Sequence, residues 1–168
     1  ALAKTKAGSW EYDIVIPGYK CNMTDIMASI GLVQLDRYPK LLERSLELVE
    51  QYNEGFKGSK VKPLVHNTKD HKSSNHLYIT HVEGATFEQR GEIITKMAER
   101  GISCNVHYKP LPLLTAYKNL GFDMNDYPNA YSYYVNEVTL PLHTRLSDED
   151  IEVIVENFKE VIAEVVGE

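Results

Sequence analysis

The sequence is poor in the features that mark secreted, membrane and nucleic-acid-binding proteins. It has only two cysteines, Cys21 and Cys104, which form neither a C-x-x-C pair nor a disulfide framework. This usage fits a reducing, cytoplasmic compartment. No apolar run approaches the roughly 20 residues that cross a bilayer. The net charge of −6 does not favour the binding of a nucleic acid, which is itself negatively charged. We therefore expect a cytoplasmic globular protein with neither a membrane nor a nucleic acid as its partner.

The common loops of nucleotide-binding and hydrolytic enzymes are also missing. The sequence contains no G-x-x-x-x-G-K-[ST], G-x-G-x-x-G, G-x-S-x-G or H-E-x-x-H pattern. Its six histidines have spacings that match no standard metal-ligand motif, so we interpret them as loop and strand residues and expect no metal site. Cys104 lies three residues before His107, and on a strand this spacing places the two side chains on opposite faces. We interpret Cys104 as a core residue rather than a nucleophile.

Two long helices are predicted in the first third of the chain. Thr24 is a suitable N-cap, and Asp25 in the first turn complements the positive end of the helix. Apolar residues then recur at helical spacing on both sides of Pro39, which is expected to end the first helix or to begin the second. These apolar positions are Ile26, Met27, Ile30 and Val33 before the proline, and Leu42, Leu46, Val49, Tyr52 and Phe56 after it.

The remainder of the chain alternates between short strands and helices. Strand patterns occur at 61–65, 76–82, 102–108 and 137–143. Thr86 with Gln89 forms a capping box, and Ser147 before three acidic residues is a second helix start. Short helices are predicted at 113–120 and 128–136. The order predicts an α/β (α+β) sandwich in which helices cover one face of a sheet.

Two segments present polar side chains in places suited to a ligand. In GYKCNMTDI, at 18–26, extended backbone points Lys20 and Asn22 to the same side ahead of a helix. An ammonium and a carboxamide on one face can hold an anion, although many surface loops have this composition. In NVHYKPLPLLTAY, His107 and Tyr108 end a predicted strand before a proline-rich loop, where binding residues are common. A strand end that is merely polar explains the same pattern, and the spacing alone does not decide.

Four ordered segments resemble one protein family. They are W-x-Y-D-x-V-x-x-G-Y-K-x-N-x-T-D-I-x-A-x-I-x-L-x-Q-L from Trp10 to Leu35, then HLYITHV, RGISCNVHYKPLPLLTAY and VTLPLHTRLSDEDIEVIVENF. Over nearly its whole length the chain resembles DegT/StrS-type nucleotide-sugar aminotransferases, which are fold-type I enzymes that use pyridoxal 5′-phosphate (PLP). The GYK-x-N segment is most similar to the UDP-4-amino-4-deoxy-L-arabinose–oxoglutarate aminotransferase branch.

The resemblance implies both a fold and a missing domain. The chain would form the small C-terminal domain of such an enzyme, in which two long helices precede a small, mainly antiparallel sheet with helices on one face. The family's Schiff-base lysine lies in a large N-terminal domain, and none of the lysines in this chain has that sequence context. We expect 1–23 to be an extended arm from that domain, 24–58 to be connecting helices and 59–168 to be the small domain.

The resemblance also assigns roles to the two polar segments. In family dimers the arm contacts the phosphate of the neighbouring subunit's cofactor, which implies cofactor contacts from Asn22 and Lys20. His107 and Tyr108 match a segment that lines the sugar side of the site. We expect no catalytic residue and no covalently bound PLP in this chain. The implied partners are a second copy, the N-terminal PLP domain, a nucleotide-sugar, and glutamate or 2-oxoglutarate.

Two functions follow as hypotheses. In the first, the complete enzyme moves an amino group from glutamate to a keto nucleotide-sugar for surface-polysaccharide or lipid A-type sugars, and the chain alone is inactive. In the second, the chain is a stand-alone, non-catalytic remnant that acts as a binding or oligomerisation module. Without the large domain, the helices at 24–57 would expose an apolar face, so we expect a dimer or a higher oligomer.

Overall fold

The computed structural model describes residues 2–4, 12–14, 19 and 21–167. The chain divides into two compact units, residues 1–38 and residues 39–168. In the first unit, strands β1 (Leu2–Lys4) and β2 (Tyr12–Ile14) pair antiparallel, with Ala3 opposite Asp13.

One helix occupies the region in which two were predicted. Helix α1 spans Asp25–Gly55 and contains Pro39, so the predicted break at this proline is wrong. A proline inside a helix removes one hydrogen bond and crowds the preceding turn, at a cost of about 3 kcal/mol. The apolar spacing continues at helical period on both sides of Pro39, and the helix continues with it. In the part of α1 that belongs to the second unit, Leu48, Val49 and Tyr52 are buried.

The second unit is built on a three-stranded antiparallel sheet. Its strands are β3 (Val61–Pro63), β4 (Tyr78–Val82) and β5 (Glu137–Leu140), in the spatial order β3-β4-β5. The helices after β3 are α2 (Phe87–Glu99), α3 (Thr115–Asn119), α4 (Pro128–Val135) and α5 (Asp148–Val166). The predicted class, an α/β (α+β) fold with a small antiparallel sheet, is confirmed. Pro63 lies on an edge strand, where a missing N–H costs least.

The core lies between one face of the sheet and helices α1, α2 and α5. Tyr52 of α1 stacks on Tyr78 of β4 with 4.4 Å between ring centroids, and Phe56 meets Phe158 of α5 edge to face at 5.8 Å. All four rings are at least 98% buried. The Tyr52 hydroxyl donates to the Pro141 carbonyl at 2.7 Å, so the buried polar atom is satisfied. Burial raises the pKa of both core tyrosines.

The predicted capping box at Thr86 and the predicted helix start at Ser147 are both confirmed, and Ser147 also forms a capping box. The Thr86 hydroxyl accepts from the backbone N–H of Gln89, whose side chain accepts from the Thr86 N–H. Ser147 and Asp150 make the same reciprocal pair at the start of α5. Each box satisfies N–H groups that a helix leaves without internal partners, so these two helix starts are fixed by local sequence.

The predicted strand at 102–108 is wrong. Only one residue of this segment pairs, in an antiparallel bridge between Asn105 and Thr139. The next two backbone N–H groups are taken by side chains, because Val106 donates to Asn105 Oδ1 at 2.8 Å and His107 donates to Glu137 Oε2 at 3.0 Å. Side-chain acceptors therefore replace the backbone ladder after Asn105.

No helix within the described ranges is both long enough and apolar enough to cross a membrane.

Candidate functional site

The face of the sheet opposite the core carries four aligned side chains. In the register of β4 with β5, Ile79 is opposite Thr139 and His81 is opposite Glu137. Side chains alternate between the two faces of a strand, and the strand neighbours Tyr78, Val138 and Leu140 belong to the core. An isoleucine–threonine pair and a histidine–glutamate pair therefore lie side by side on the second face.

A cavity of about 190 Å³ lies over this face. Its lining residues are Leu64, Ile79, His81, His107, Tyr108, Ala130, Tyr133, Tyr134 and Glu137. They come from β4, β5, α4, the segment around His107 and the residue just after β3, and they include three tyrosines, two histidines and one glutamate. Concave sites with aromatic walls and a few convergent polar groups are typical of small-molecule binding.

The structure brings His107 and Tyr108 together at this cavity. Besides its backbone bond to Glu137, His107 places its Nδ1 atom 2.9 Å from the Thr139 hydroxyl oxygen. The Tyr108 ring packs edge to face on the imidazole, with 4.6 Å between ring centroids. The histidine is half-buried, whereas Tyr108 is 74% exposed. His107 is thus fixed at the cavity wall, and Tyr108 is open to a ligand.

Glu137 and Thr139 of β5 form hydrogen bonds with His107. Sequence reasoning did not single them out. Both are only 4% exposed. The Thr139 hydroxyl donates to Glu137 Oε1 at 2.5 Å, while the other carboxyl oxygen accepts from the His107 N–H. The available signal was the alternation in EVTL, which puts an acid and a hydroxyl on one face of a short strand between apolar residues.

His81 is a second histidine of the cavity that the sequence did not mark. Its Nδ1 atom is 3.3 Å from Asn136 Oδ1, and the Tyr133 ring packs on it edge to face at 4.8 Å. The Asn136 amide nitrogen donates to the Val82 carbonyl at 3.0 Å, which fixes the amide orientation. His81 Nε2 is buried and has no hydrogen-bond partner among the described residues.

Arg90 of α2 packs against Tyr134, one of the aromatic residues that line the cavity. Its guanidinium carbon lies 4.6 Å from the ring centroids of both Phe87 and Tyr134, and Nη1 donates to the Tyr134 carbonyl at 2.8 Å. Arg90 is 5% exposed. A desolvated cation between two aromatic faces is a favourable arrangement, so Arg90 holds the end of α4 against α2.

The predicted anion-binding pair is only partly described. Asn22 is exposed three residues before α1, and Lys20 lies outside the described residues. At the start of the helix, Thr24 Oγ1 accepts from the Met27 N–H at 3.4 Å. The carboxamide of Asn22 has two N–H groups that can donate hydrogen bonds to phosphate oxygens. Its chemistry therefore fits the role that the resemblance implies. Asn22 belongs to the first unit and the His107 cavity to the second.

Cys104 is partly buried against the core, which confirms its interpretation as a core residue. Burial raises the pKa of its thiol to about 12, so it is a poor nucleophile. Among the residues that the structure describes, no group of three or more His, Cys, Asp or Glu side chains is arranged to hold a metal ion.

A larger surface cleft, of about 660 Å³, is lined by residues of α1 and α5. Its floor includes Gly55, Ile151 and Val155, and its rim is acidic. The acidic rim residues are Glu47, Glu50, Glu54, Asp148, Glu152 and Glu156. These carboxylates repel a phosphate-bearing ligand, whereas the His107 cavity has one buried acid and two imidazoles. The acidic rim therefore makes this cleft a poor site for a ligand that carries phosphate.

Comparison with known proteins places the chain in a family. A profile of the DegT/DnrJ/EryC1/StrS aminotransferase family matches residues 2–159. The chain is 34% identical over 163 residues to the spore coat polysaccharide biosynthesis protein SpsC of Bacillus subtilis (strain 168), covering 92% of this chain and 41% of that protein. It is 29% identical over 147 residues to the UDP-4-amino-4,6-dideoxy-N-acetyl-beta-L-altrosamine transaminase of Helicobacter pylori, covering 88% of this chain and 39% of that enzyme.

Solved structures give the same result. A Streptococcus pneumoniae structure described as a sugar aminotransferase, Spr1654, in its PLP form is 64% identical, with a TM-score of 0.85 over 94% of this chain and 40% of that one. PseC of Helicobacter pylori, an aminotransferase involved in the biosynthesis of pseudoaminic acid, is 28% identical, with a TM-score of 0.76 over 97% of this chain and 43% of that one.

The chain belongs to the DegT/DnrJ/EryC1/StrS aminotransferase family. It spans about 40% of the length of the curated relatives that it matches. The resemblance seen in the sequence is therefore confirmed at the level of the family and its fold.

Proposed function

We propose that the chain is the substrate-side part of a PLP-dependent aminotransferase that moves an amino group from glutamate to a keto nucleotide-sugar. The cavity around His107 carries this proposal, because it combines aromatic walls with hydrogen-bonding imidazoles in a chain of this family. The relatives include a transaminase whose name specifies a UDP-sugar. The 4-amino-4-deoxy-L-arabinose branch, and a role in surface polysaccharide or lipid A-type sugars, remain predictions within this proposal.

His107 and Tyr108 are the proposed sugar-binding residues. The exposed Tyr108 ring offers a flat apolar surface to a sugar face, and the fixed imidazole offers a hydrogen bond at its edge. Two further tyrosines of α4 line the same cavity. A ring-shaped, hydroxyl-bearing ligand matches this combination of stacking surfaces and polar edges.

The cofactor is proposed to be held partly by the segment before α1. Asn22 and Lys20 would contact the phosphate of PLP, whereas Asp25 in the first turn of α1 opposes an anion placed directly at the helix end. Bound PLP supplies the electron sink for amino transfer. Asn22 and Lys20 would bind and orient it, whereas the lysine that carries it is proposed to lie on polypeptide other than these 168 residues.

The boundaries expected from the sequence belong to this proposal: an arm at 1–23, a connecting region at 24–58 and the small domain at 59–168. A homodimer is proposed as well. Apolar side chains are exposed just before α1 and along its first half: Met23, Ile26, Met27, Ile30, Leu32, Val33 and Leu35. The remaining polypeptide, a second copy or both would cover such apolar side chains.

The same exposed residues support the alternative, a non-catalytic binding or oligomerisation module. An amino-transfer assay separates the two functions. With PLP, glutamate and a UDP-keto-sugar, the 168-residue chain alone is expected to give no turnover, and the complete aminotransferase that carries it is expected to be active. Turnover by the chain alone would refute the proposed position of the lysine. An inactive but correctly folded complete protein would favour the non-catalytic module.

A further inference from the structure

We propose that Glu137 and Thr139 are positioning residues that hold His107 in the tautomer with hydrogen on Nδ1. Nε2 then presents a lone pair to the cavity and accepts a hydrogen bond from a hydroxyl or amino group of the ligand. The ligand part of this inference rests on the proposed function. The tautomer itself follows from the hydrogen bonds within the chain.

The backbone N–H of His107 fixes which groups donate and which accept in these hydrogen bonds. The His107 N–H can only donate, so the carboxyl oxygen 3.0 Å away, Glu137 Oε2, is an acceptor. Glu137 Oε1 accepts from the Thr139 hydroxyl at 2.5 Å. A hydroxyl has one hydrogen, and the hydrogen of Thr139 is used in this bond.

The tautomer of His107 follows from that direction. Its Nδ1 atom is 2.9 Å from Thr139 Oγ1, and the threonine oxygen has only lone pairs left to offer. Nδ1 must therefore carry hydrogen for the bond to form, and Nε2 of a neutral imidazole has none. Because Glu137 and Thr139 are both 4% exposed, water has little access to replace either partner.

Nε2 is left as the polar atom of His107 that can meet a ligand. No hydrogen bond to this atom is found among the described residues, and His107 lines the cavity. An acceptor on the wall selects a donor on the ligand, such as a sugar hydroxyl, rather than a carbonyl or phosphate oxygen. Glu137 and Thr139 thus determine which groups the site accepts without touching the ligand.

We call the chain of hydrogen bonds from Glu137 through Thr139 to His107 the relay. The Glu137→Gln variant reverses the direction of the relay and provides the main test. The backbone N–H of His107 can only donate, so the amide oxygen of the variant must face it. The amide nitrogen then faces Thr139. Thr139 then accepts from the amide and donates its own hydrogen to the imidazole. We expect the hydrogen on His107 to move from Nδ1 to Nε2, although the shape of the side chain is almost unchanged.

The measurement is a long-range ¹H–¹⁵N correlation spectrum of the 168-residue chain labelled with ¹⁵N-histidine. It is recorded at about pH 9, well above the ordinary histidine pKa of about 6.5. His107→Gln assigns the signals. We expect a pyrrole-like Nδ1 and a pyridine-like Nε2 in the wild type, and the reverse in Glu137→Gln. A wild-type His107 with hydrogen on Nε2, or a folded Glu137→Gln variant with an unchanged tautomer, would overturn the proposal.

Variants at Thr139 keep the test decisive if Glu137→Gln does not fold. Thr139→Val should lose the Nδ1-protonated form, whereas Thr139→Ser should retain it. Thr80→Val is the matched control, because it removes another buried hydroxyl, which donates to the Val138 carbonyl at 2.7 Å. It should leave the His107 spectrum unchanged. Loss of the Nδ1-protonated form in Thr80→Val as well would show a structural effect only, and would overturn the proposal.

The two proposals fail separately. If the tautomer is as expected but the His107→Gln enzyme binds its sugar substrate normally, the sugar site is wrong and the relay stands. If His107→Gln weakens sugar binding but the wild-type tautomer is reversed, the sugar site stands and the relay is wrong.

Discussion

Cys104 shows how its surroundings set the chemistry of a single side chain. Burial raises the pKa of its thiol to about 12. At pH 8 only about one Cys104 thiol in 10⁴ would be ionised, and the thiolate is the reactive form. Cys21 is exposed. We therefore expect a thiol reagent at pH 8 to modify Cys21 rapidly and Cys104 only on unfolding.

The Cys21→Ser variant is the control for this prediction. In the native state it should show no rapid reaction, and in denaturant it should show one thiol. Reaction of native Cys104 at the rate of a free cysteine would show that the thiol is not buried as the structure places it.

Among single residues, the sequence singled out two that line the cavity, His107 and Tyr108, but not the buried residues behind them. His107 and Tyr108 stood out because a histidine and a tyrosine next to a proline-rich loop form a local pattern. Glu137 and Thr139 act only through residues about 30 positions earlier in the chain, which approach them in the folded state. Their role depends on the β4–β5 register and on the bridge at Asn105, and neither is encoded locally.

Gly55 shows how closely two helices approach in this fold. A Cβ atom built at Gly55 of α1 would lie 2.9 Å from both γ carbons of Val155 on α5. Overpacking of this kind costs about 1–3 kcal/mol, whereas alanine in a helix gains about 0.5–1 kcal/mol over glycine. We expect Gly55→Ala to lower the free energy of unfolding by about 1 kcal/mol in urea denaturation.

Gly91 of α2 is the matched control, because a Cβ atom there would meet nothing within 4 Å. Gly91→Ala should raise the free energy of unfolding by about 0.5–1 kcal/mol. In a Val155→Ala background, where both γ carbons are gone, Gly55→Ala should become stabilising as well. If Gly55→Ala stabilises the wild-type chain, the two helices do not pack as closely as described.

Elements with strong local signals were predicted correctly. Elements whose structure depends on the balance between two opposing interactions were not. The start of α2 followed from its capping box and the start of α5 from Ser147 before three acidic residues, because the capping bonds lie within four residues. The break at Pro39 was wrong because one lost hydrogen bond does not outweigh a long helical pattern. The strand at 102–108 was wrong because side-chain oxygens of Asn105 and Glu137 take the N–H groups that its ladder needed.

At the scale of the whole molecule, the exposed side chains of α1 predict association. Ile26 and Ile30 are 75% and 60% exposed, and apolar surface of this kind is normally covered. We expect sedimentation of the 168-residue chain to show a dimer or a larger species. Ile26→Glu with Ile30→Glu should shift it toward the monomer, whereas Gln34→Glu, at an exposed polar position of the same helix, should not. A strictly monomeric chain at high concentration would contradict this prediction.

The most direct test of the account measures sugar binding at His107 in the complete aminotransferase. The assay compares wild type, His107→Gln and His71→Gln, an exposed histidine outside the cavity. We expect His107→Gln to raise the KM for the UDP-keto-sugar about tenfold, a loss of about 1.4 kcal/mol. The half-reaction with glutamate alone should be unchanged, and His71→Gln should match the wild type in both. An unchanged sugar KM in a folded His107→Gln enzyme would contradict the assignment of this cavity as the sugar site.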